Sequence, residues 1–144
     1  MIHPNSFPKS EHLFGEKRLS RLFTQGEAFI AYPLRVVYIL EAKKDAEPAS
    51  AMVSVPKKRF KRAVKRNRLK RLMREAYRLN KQELIAKLNE MELQLHVAFN
   101  YVSDDELDFA QVEKKMKVAL ERLIEKVESR KLAWVCKQIH MIVC

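Results

Sequence analysis

The 144-residue chain carries 29 Lys and Arg against 18 Asp and Glu, a formal net charge of +11, with 47% hydrophobic and 33% charged residues. Such a composition supplies one hydrophobic core beneath a heavily charged surface; it excludes global disorder, and it excludes two independent cores, each of which would be marginal at half this length. No apolar run reaches the roughly 18 residues that cross a bilayer and residues 1–16 lack the apolar stretch of a signal peptide, so a cytoplasmic protein whose surplus charge meets a polyanion is expected.

Residues 1–12, with Pro4 and Pro8 and no apolar period, read as an irregular arm. Over residues 16–25, Leu19, Leu22 and Phe23 recur at three- and four-residue spacing, which predicts a short helix stopped by Gly26. A short strand at 29–31 is broken at Pro33, and residues 34–40, rich in β-branched and aromatic side chains, predict a strand either half-wet or buried on both faces. The charged, proline-containing stretch 43–48 reads as a hairpin turn into a third strand at 49–55, ended by Pro56.

A helix follows. At 100° per residue, Leu72, Met73, Ala76 and Leu79 fall within about 80° of Leu69, while Asn67, Lys70, Arg71, Arg74 and Arg78 gather on the opposite side. Leu84, Ile85 and Leu88 either continue that helix or begin another. Residues 92–102 alternate as a strand, Asp104, Asp105 and Asp108 form an acidic turn able to cap a helix, and Val112, Met116, Leu120, Leu123 and Val127 mark a last helix over 109–127. The order predicts an α+β fold of α-β-β-β-α-β-α type, a small, mostly antiparallel sheet covered by helices, in one domain over 1–127. Residues 128–144, with Trp134, Ile139 and Ile142, form an extension open to helix, packed tail or self-association. Cys136 and Cys144 lack a CxxC spacing and read as reduced thiols.

Twelve of the 29 basic residues fall within residues 57–78 against a single acid, Glu75, so the rest of the chain is close to balanced. Like charges at three- and four-residue spacing on one helix face repel, and the arrangement calls for phosphates. A membrane-surface helix would need its apolar stripe uncovered, whereas this stripe is needed to cover the strands. DNA readers carry helix-turn-helix or zinc-ligand spacings that are absent here, and a helix that grips phosphates by shape suits structured RNA. His3, His12, His96 and His140 are scattered, and no motif pairs one with a nucleophile or carboxylate, so a general acid and base for a protein nuclease do not stand out.

The string Lys65-Arg66-Asn67-Arg68-Leu69-Lys70-Arg71-Leu72-Met73-Arg74-Glu75, behind a strand ending Ser54-Val55-Pro56-Lys57-Lys58, resembles the RNR signature of the bacterial ribonuclease P protein family. The resemblance covers about residues 13–127. It implies a sandwich like that of ribosomal protein S5 domain 2. It implies a subunit, monomeric in the holoenzyme, that binds ribonuclease P RNA and the 5′ leader of precursor tRNA, with the chemistry and its Mg2+ left to the RNA. By this resemblance Arg66, Asn67, Arg68, Lys70, Arg71 and Arg74 contact the catalytic RNA. Phe23, Tyr38, Lys57, Lys58 and Arg62 line a leader cleft between the first helix and the sheet. Leu19 stands where the family often has another aromatic, and Arg62 where it often has an uncharged polar residue. Taken alone, Phe23 reads as a core residue. The main rival is a ribosomal or ribosome-assembly RNA-binding protein without such a cleft.

Overall fold

In this computed structural model the elements run α1 (Glu16–Gln25), β1 (Glu27–Ala31), β2 (Leu34–Ala42), β3 (Ala49–Ser54), α2 (Ala63–Asn80), α3 (Gln82–Glu90), β4 (Leu93–Tyr101) and α4 (Phe109–Val143). The structure describes residues 7, 11–13, 15–43 and 47–143, with side chains through Arg130. The four strands order as β1-β2-β4-β3, antiparallel except for the parallel β3–β4 pair. The sheet is therefore mostly antiparallel, but the hairpin expected across residues 43–48 does not form. β4 lies between β2 and β3, because pairing β2 with β4 joins nine residues of each, from Leu34↔Tyr101 to Ala42↔Leu93, more than the six-residue β3 can offer. β3 instead reaches β4 through the α2–α3 crossover, the connection a parallel pair requires.

Opposed residues share a sheet face. One face, carrying Leu34, Val36, Tyr38, Leu95, Val97, Phe99 and Tyr101, is covered by Leu69, Met73, Ala76 and Tyr77 of α2, Leu84 and Leu88 of α3, and Val112, Met116, Leu120, Leu123 and Val127 of α4. On the other, Leu22 and Leu13 bury Val37 and Ala98, with Leu19, Ile39 and Met52 packed around them. β2 is thus buried on both faces at its centre. Truncating any of the fully buried leucines to alanine costs about 2–5 kcal/mol by the usual cavity penalty.

Within α2 the buried stripe is shifted from its predicted centre. Tyr77 is buried against the Phe99 ring at 5.7 Å and the Phe7 ring at 5.2 Å, whereas Leu79 stays exposed. Leu84 and Leu88 belong to a separate helix, which begins beyond Lys81. The arm is irregular yet docked: Leu13 N–H donates to the Ala51 carbonyl at 2.9 Å, and Glu11 pairs with the buried Lys81 at the α2–α3 junction. Asp108 and Gln111 cap α4 reciprocally, the Gln111 amide donating to Asp108 Oδ1 at 2.9 Å and the Asp108 amide to Gln111 Oε1 at 3.3 Å. α4 continues to Val143, so the extension is helical through that residue. The side chains of Trp134, Cys136, Ile139, His140, Ile142 and Cys144, and His3, lie outside those described.

Candidate nucleic-acid interface

α1 crosses the sheet from β3 toward β2. Leu13, just ahead of α1, bonds β3, and at the far end Gly26 approaches β2 so closely that an added Cβ would lie 2.3 Å from the Leu22 carbonyl oxygen and 3.0 Å from that of Tyr38. Arg21 and Phe23 are about 200° apart around the helix. Arg21 reaches Glu41, which also accepts from Gln94 Nε2 at 2.7 Å and lies 3.2 Å from His96 Nε2. The guanidinium bond to Arg21, reinforced by Gln94, holds the Glu41 carboxyl at a pKa of about 2 despite its partial burial. This network pins one flank of α1 to one end of the sheet.

The opposite flank, with Phe23, therefore faces the other end. There the opposed residues Ile30, Arg35, Asn100 and Ser54 form a row that α1 leaves uncovered. Ile30 is 61% exposed and Phe23 49%, Arg35 is exposed, and Asn100 and Ser54 are half-buried. Phe23 is thus not a core residue, because Leu22 and Leu19 suffice to seat the helix. The chain leaves β3 at this same end, turns at Pro56, whose carbonyl accepts from the Arg59 and Phe60 amides at 3.3 Å, and exposes Lys57 and Lys58 there. The result is an open shelf with an aromatic wall, a polar floor and a cationic rim, suited to an extended polyanion that offers base faces.

Tyr38 does not join it. It points to the opposite face, 4% exposed, where its hydroxyl donates to Glu27 Oε2 at 2.7 Å and its ring meets the edge of Phe29; burial and the Glu27 carboxylate raise its pKa. Val37, not Tyr38, is the buried β2 residue beneath α1, with Ile39 beside it. Sequence reasoning missed Ile30, Arg35, Ser54 and Asn100. Arg35 and Asn100 are polar positions in the half of β2 and β4 away from Glu41, Gln94 and His96, but only the strand order brings them side by side.

α2 begins at the same end of the sheet, on its other face. Arg62 occupies the N-cap position and is exposed. Asn67, Arg71 and Arg74 are exposed and Lys70 half-buried, and none of the four side chains has a hydrogen-bond or ion-pair partner among the described residues. Arg66 is employed differently: its Nη1 donates to the Phe60 and Lys61 carbonyls, both at 2.9 Å, and braces the turn that carries the lysine rim. Arg68 lies 3.3 Å from Glu106 with its side chain still 65% exposed, and Arg78 pairs with Glu75, lowering the carboxyl pKa. The lysine rim and the first turn of α2 share one end of the sheet, and the unopposed cations follow along the helix, each able to neutralise a phosphate.

Residues 7–124 match the family model described as Ribonuclease P. The ribonuclease P protein component of Porphyromonas gingivalis is 48% identical over 134 residues, 92% of this chain and 98% of that relative. The solved ribonuclease P protein of Staphylococcus aureus superposes with a TM-score of 0.63 at 18% identity, over 78% of this chain and 94% of that one. That of Thermotoga maritima gives 0.60 at 21% identity, over 78% and 96%. These two share the fold. The chain belongs to the ribonuclease P protein family, the protein component of the ribonucleoprotein endoribonuclease that processes tRNA 5′ ends.

Proposed function

We propose that α2 holds ribonuclease P RNA through Asn67, Lys70, Arg71 and Arg74, with Arg68 beside them and Arg66 bracing the adjoining turn. The shelf takes the single-stranded 5′ leader of precursor tRNA, stacking it on Phe23 over Arg35 and Asn100, with Lys57, Lys58 and Arg62 at the rim. The observation that carries this is the common origin of the two surfaces: the chain leaves β3 beside an uncovered row flanked by an exposed aromatic, exposes Lys57, Lys58 and Arg62, and enters α2, whose Lys70, Arg71 and Arg74 have no side-chain partners among the described residues. Stacking tolerates any base, which suits a subunit serving leaders of many sequences.

In this reading Mg2+ and the cleavage chemistry reside with the RNA. Magnesium wants an octahedron of oxygen ligands, and among the described residues no group of three or more His, Cys, Asp or Glu side chains is placed to hold a metal ion. The protein's contribution is to bind, to neutralise phosphates and to hold the leader in register. It acts as a monomer in the cytoplasm, away from DNA and membrane; among the described residues no helix is long and apolar enough to cross a bilayer.

Replacing both Arg71 and Arg74 by alanine should weaken binding to ribonuclease P RNA by at least tenfold near 0.1 M salt and flatten the slope of log K against log salt by about two, one ion per lost contact. Unchanged affinity and slope would remove α2 from the interface.

A further inference from the structure

Three cations at the start of the basic segment already have anionic partners. Arg59 Nη1 donates to Asp104 Oδ1 at 2.9 Å, Arg68 Nη1 to Glu106 Oε1 at 3.3 Å, and Lys65 Nζ stands 4.0 Å from Glu106 Oε2. Both carboxylates come from the turn between β4 and α4, far away in sequence. That turn is fixed without the cations. The buried Ser103 Oγ accepts from the Asp105 amide and from the Tyr32 hydroxyl, each at 3.1 Å. The Tyr101 hydroxyl donates to the Asp105 carbonyl and accepts from the Leu107 amide at 3.3 Å. Asp108 is committed to the α4 cap. Asp104 and Glu106 are therefore presented to the cations from a backbone held by uncharged bonds. The pairs nevertheless stay open to solvent, with the Asp104 side chain 79% exposed and that of Glu106 30%.

The cations thus fall into two sets. Measured from Leu69, Lys65 and Arg68 lie at about 320° and 260° around α2, the sector facing the acidic turn, whereas Lys70, Arg71 and Arg74, with the neutral Asn67 among them, occupy about 100–200° and face away from it. We propose that Asp104 and Glu106 are specificity-determining residues of the RNA interface. They act as intramolecular stand-ins for phosphate: a generic RNA has to displace them to reach Arg59, Lys65 and Arg68, while the outward set stays open to an RNA whose shape fits it. A non-specific strand binds almost wholly by gathering phosphate contacts, so withholding three cations reduces its affinity most. A structured RNA positioned by shape depends on them less. Exposed ion pairs are individually weak, each equivalent to no more than about fivefold in affinity, so the turn discriminates without closing the surface.

The inference rests on α2 being the RNA-facing surface, and its test separates the two. The full-length chain and its Asp104→Asn/Glu106→Gln variant are titrated with a single-stranded homopolymeric RNA and with ribonuclease P RNA across a salt series. A charge-matched Glu121→Gln/Glu125→Gln variant, altered near the other end of α2 where Glu121 adjoins Leu79 and Asn80, serves as control. The acidic-turn variant should bind the homopolymer about three- to tenfold more tightly at low salt, with a salt slope steeper by about one to two. Its affinity for ribonuclease P RNA should change less than about twofold, and the control should move neither by as much. An unchanged homopolymer affinity, an equal gain for both RNAs, or an equal gain in the control would overturn the proposal. Failure of the underlying reading has a different signature, unaltered binding of ribonuclease P RNA by the Arg71→Ala/Arg74→Ala variant.

Discussion

Phe23 and Tyr38 are two aromatic residues that the resemblance assigns to one cleft and the sheet separates onto opposite faces. Their substitutions should separate as well. Phe23→Ala removes an exposed ring beside the open row and should weaken binding of a leader-bearing precursor by on the order of 1–3 kcal/mol, with little effect on mature tRNA. Tyr38→Phe removes only the bond to Glu27 on the helix-covered face and should leave the leader-dependent part of binding untouched. Fluorescence titration of the reconstituted holoenzyme with precursor and mature tRNA measures both. A leader-specific loss in Tyr38→Phe but not in Phe23→Ala would contradict the assignment of faces. Sequence left this undecided because β2 is apolar at nearly every position, Val36, Val37, Tyr38, Ile39 and Leu40 in succession, so alternation gave no indication of which face each residue takes.

Among the elements, α1 illustrates what patterning can specify: Leu19 and Leu22 at helical spacing before Gly26 predict its limits, and the structure runs Glu16–Gln25. Its seat depends on Gly26, where a side chain would strike the Leu22 carbonyl. Gly26→Ala should lower stability by about 2–4 kcal/mol, read from urea or thermal denaturation; an unchanged midpoint would mean that α1 does not press on β2 as described. For α2 the stripe and the cationic face were both legible, but its margins were not. Tyr77 and Leu79 lie symmetrically about 80° either side of Leu69, and the rings of Phe99 and Phe7 decide that Tyr77 is the one buried. Strand partners were less legible still. Residues 49–54 read as the second arm of a hairpin, since a charged, proline-containing turn precedes them, whereas the longer β4 takes the place beside β2 by pairing along its length and leaves β3 as a parallel edge. The row Ile30, Arg35, Asn100 and Ser54 exists only as a consequence of that order.

At the scale of the whole molecule, a sheet with helices on both faces brings two differently built surfaces to one end: a rigid helix of cations and a partly open shelf. The acidic turn joins them, anchored by Tyr32 and Tyr101 and paired with Arg59 and Arg68. The positions of Asp104 and Glu106 opposite the basic segment could not be read from the chain, where the turn looked like a helix cap and only Asp108 proved to be one. Such an architecture makes the protein an electrostatic partner whose contribution is largest when the RNA is least screened by other cations. Reconstitution tests this most directly. Adding the purified chain to its ribonuclease P RNA at low magnesium should raise the rate of precursor tRNA cleavage, with the stimulation shrinking as magnesium increases and no cleavage by the protein alone. Absence of stimulation at low magnesium, or cleavage without added RNA, would contradict the account.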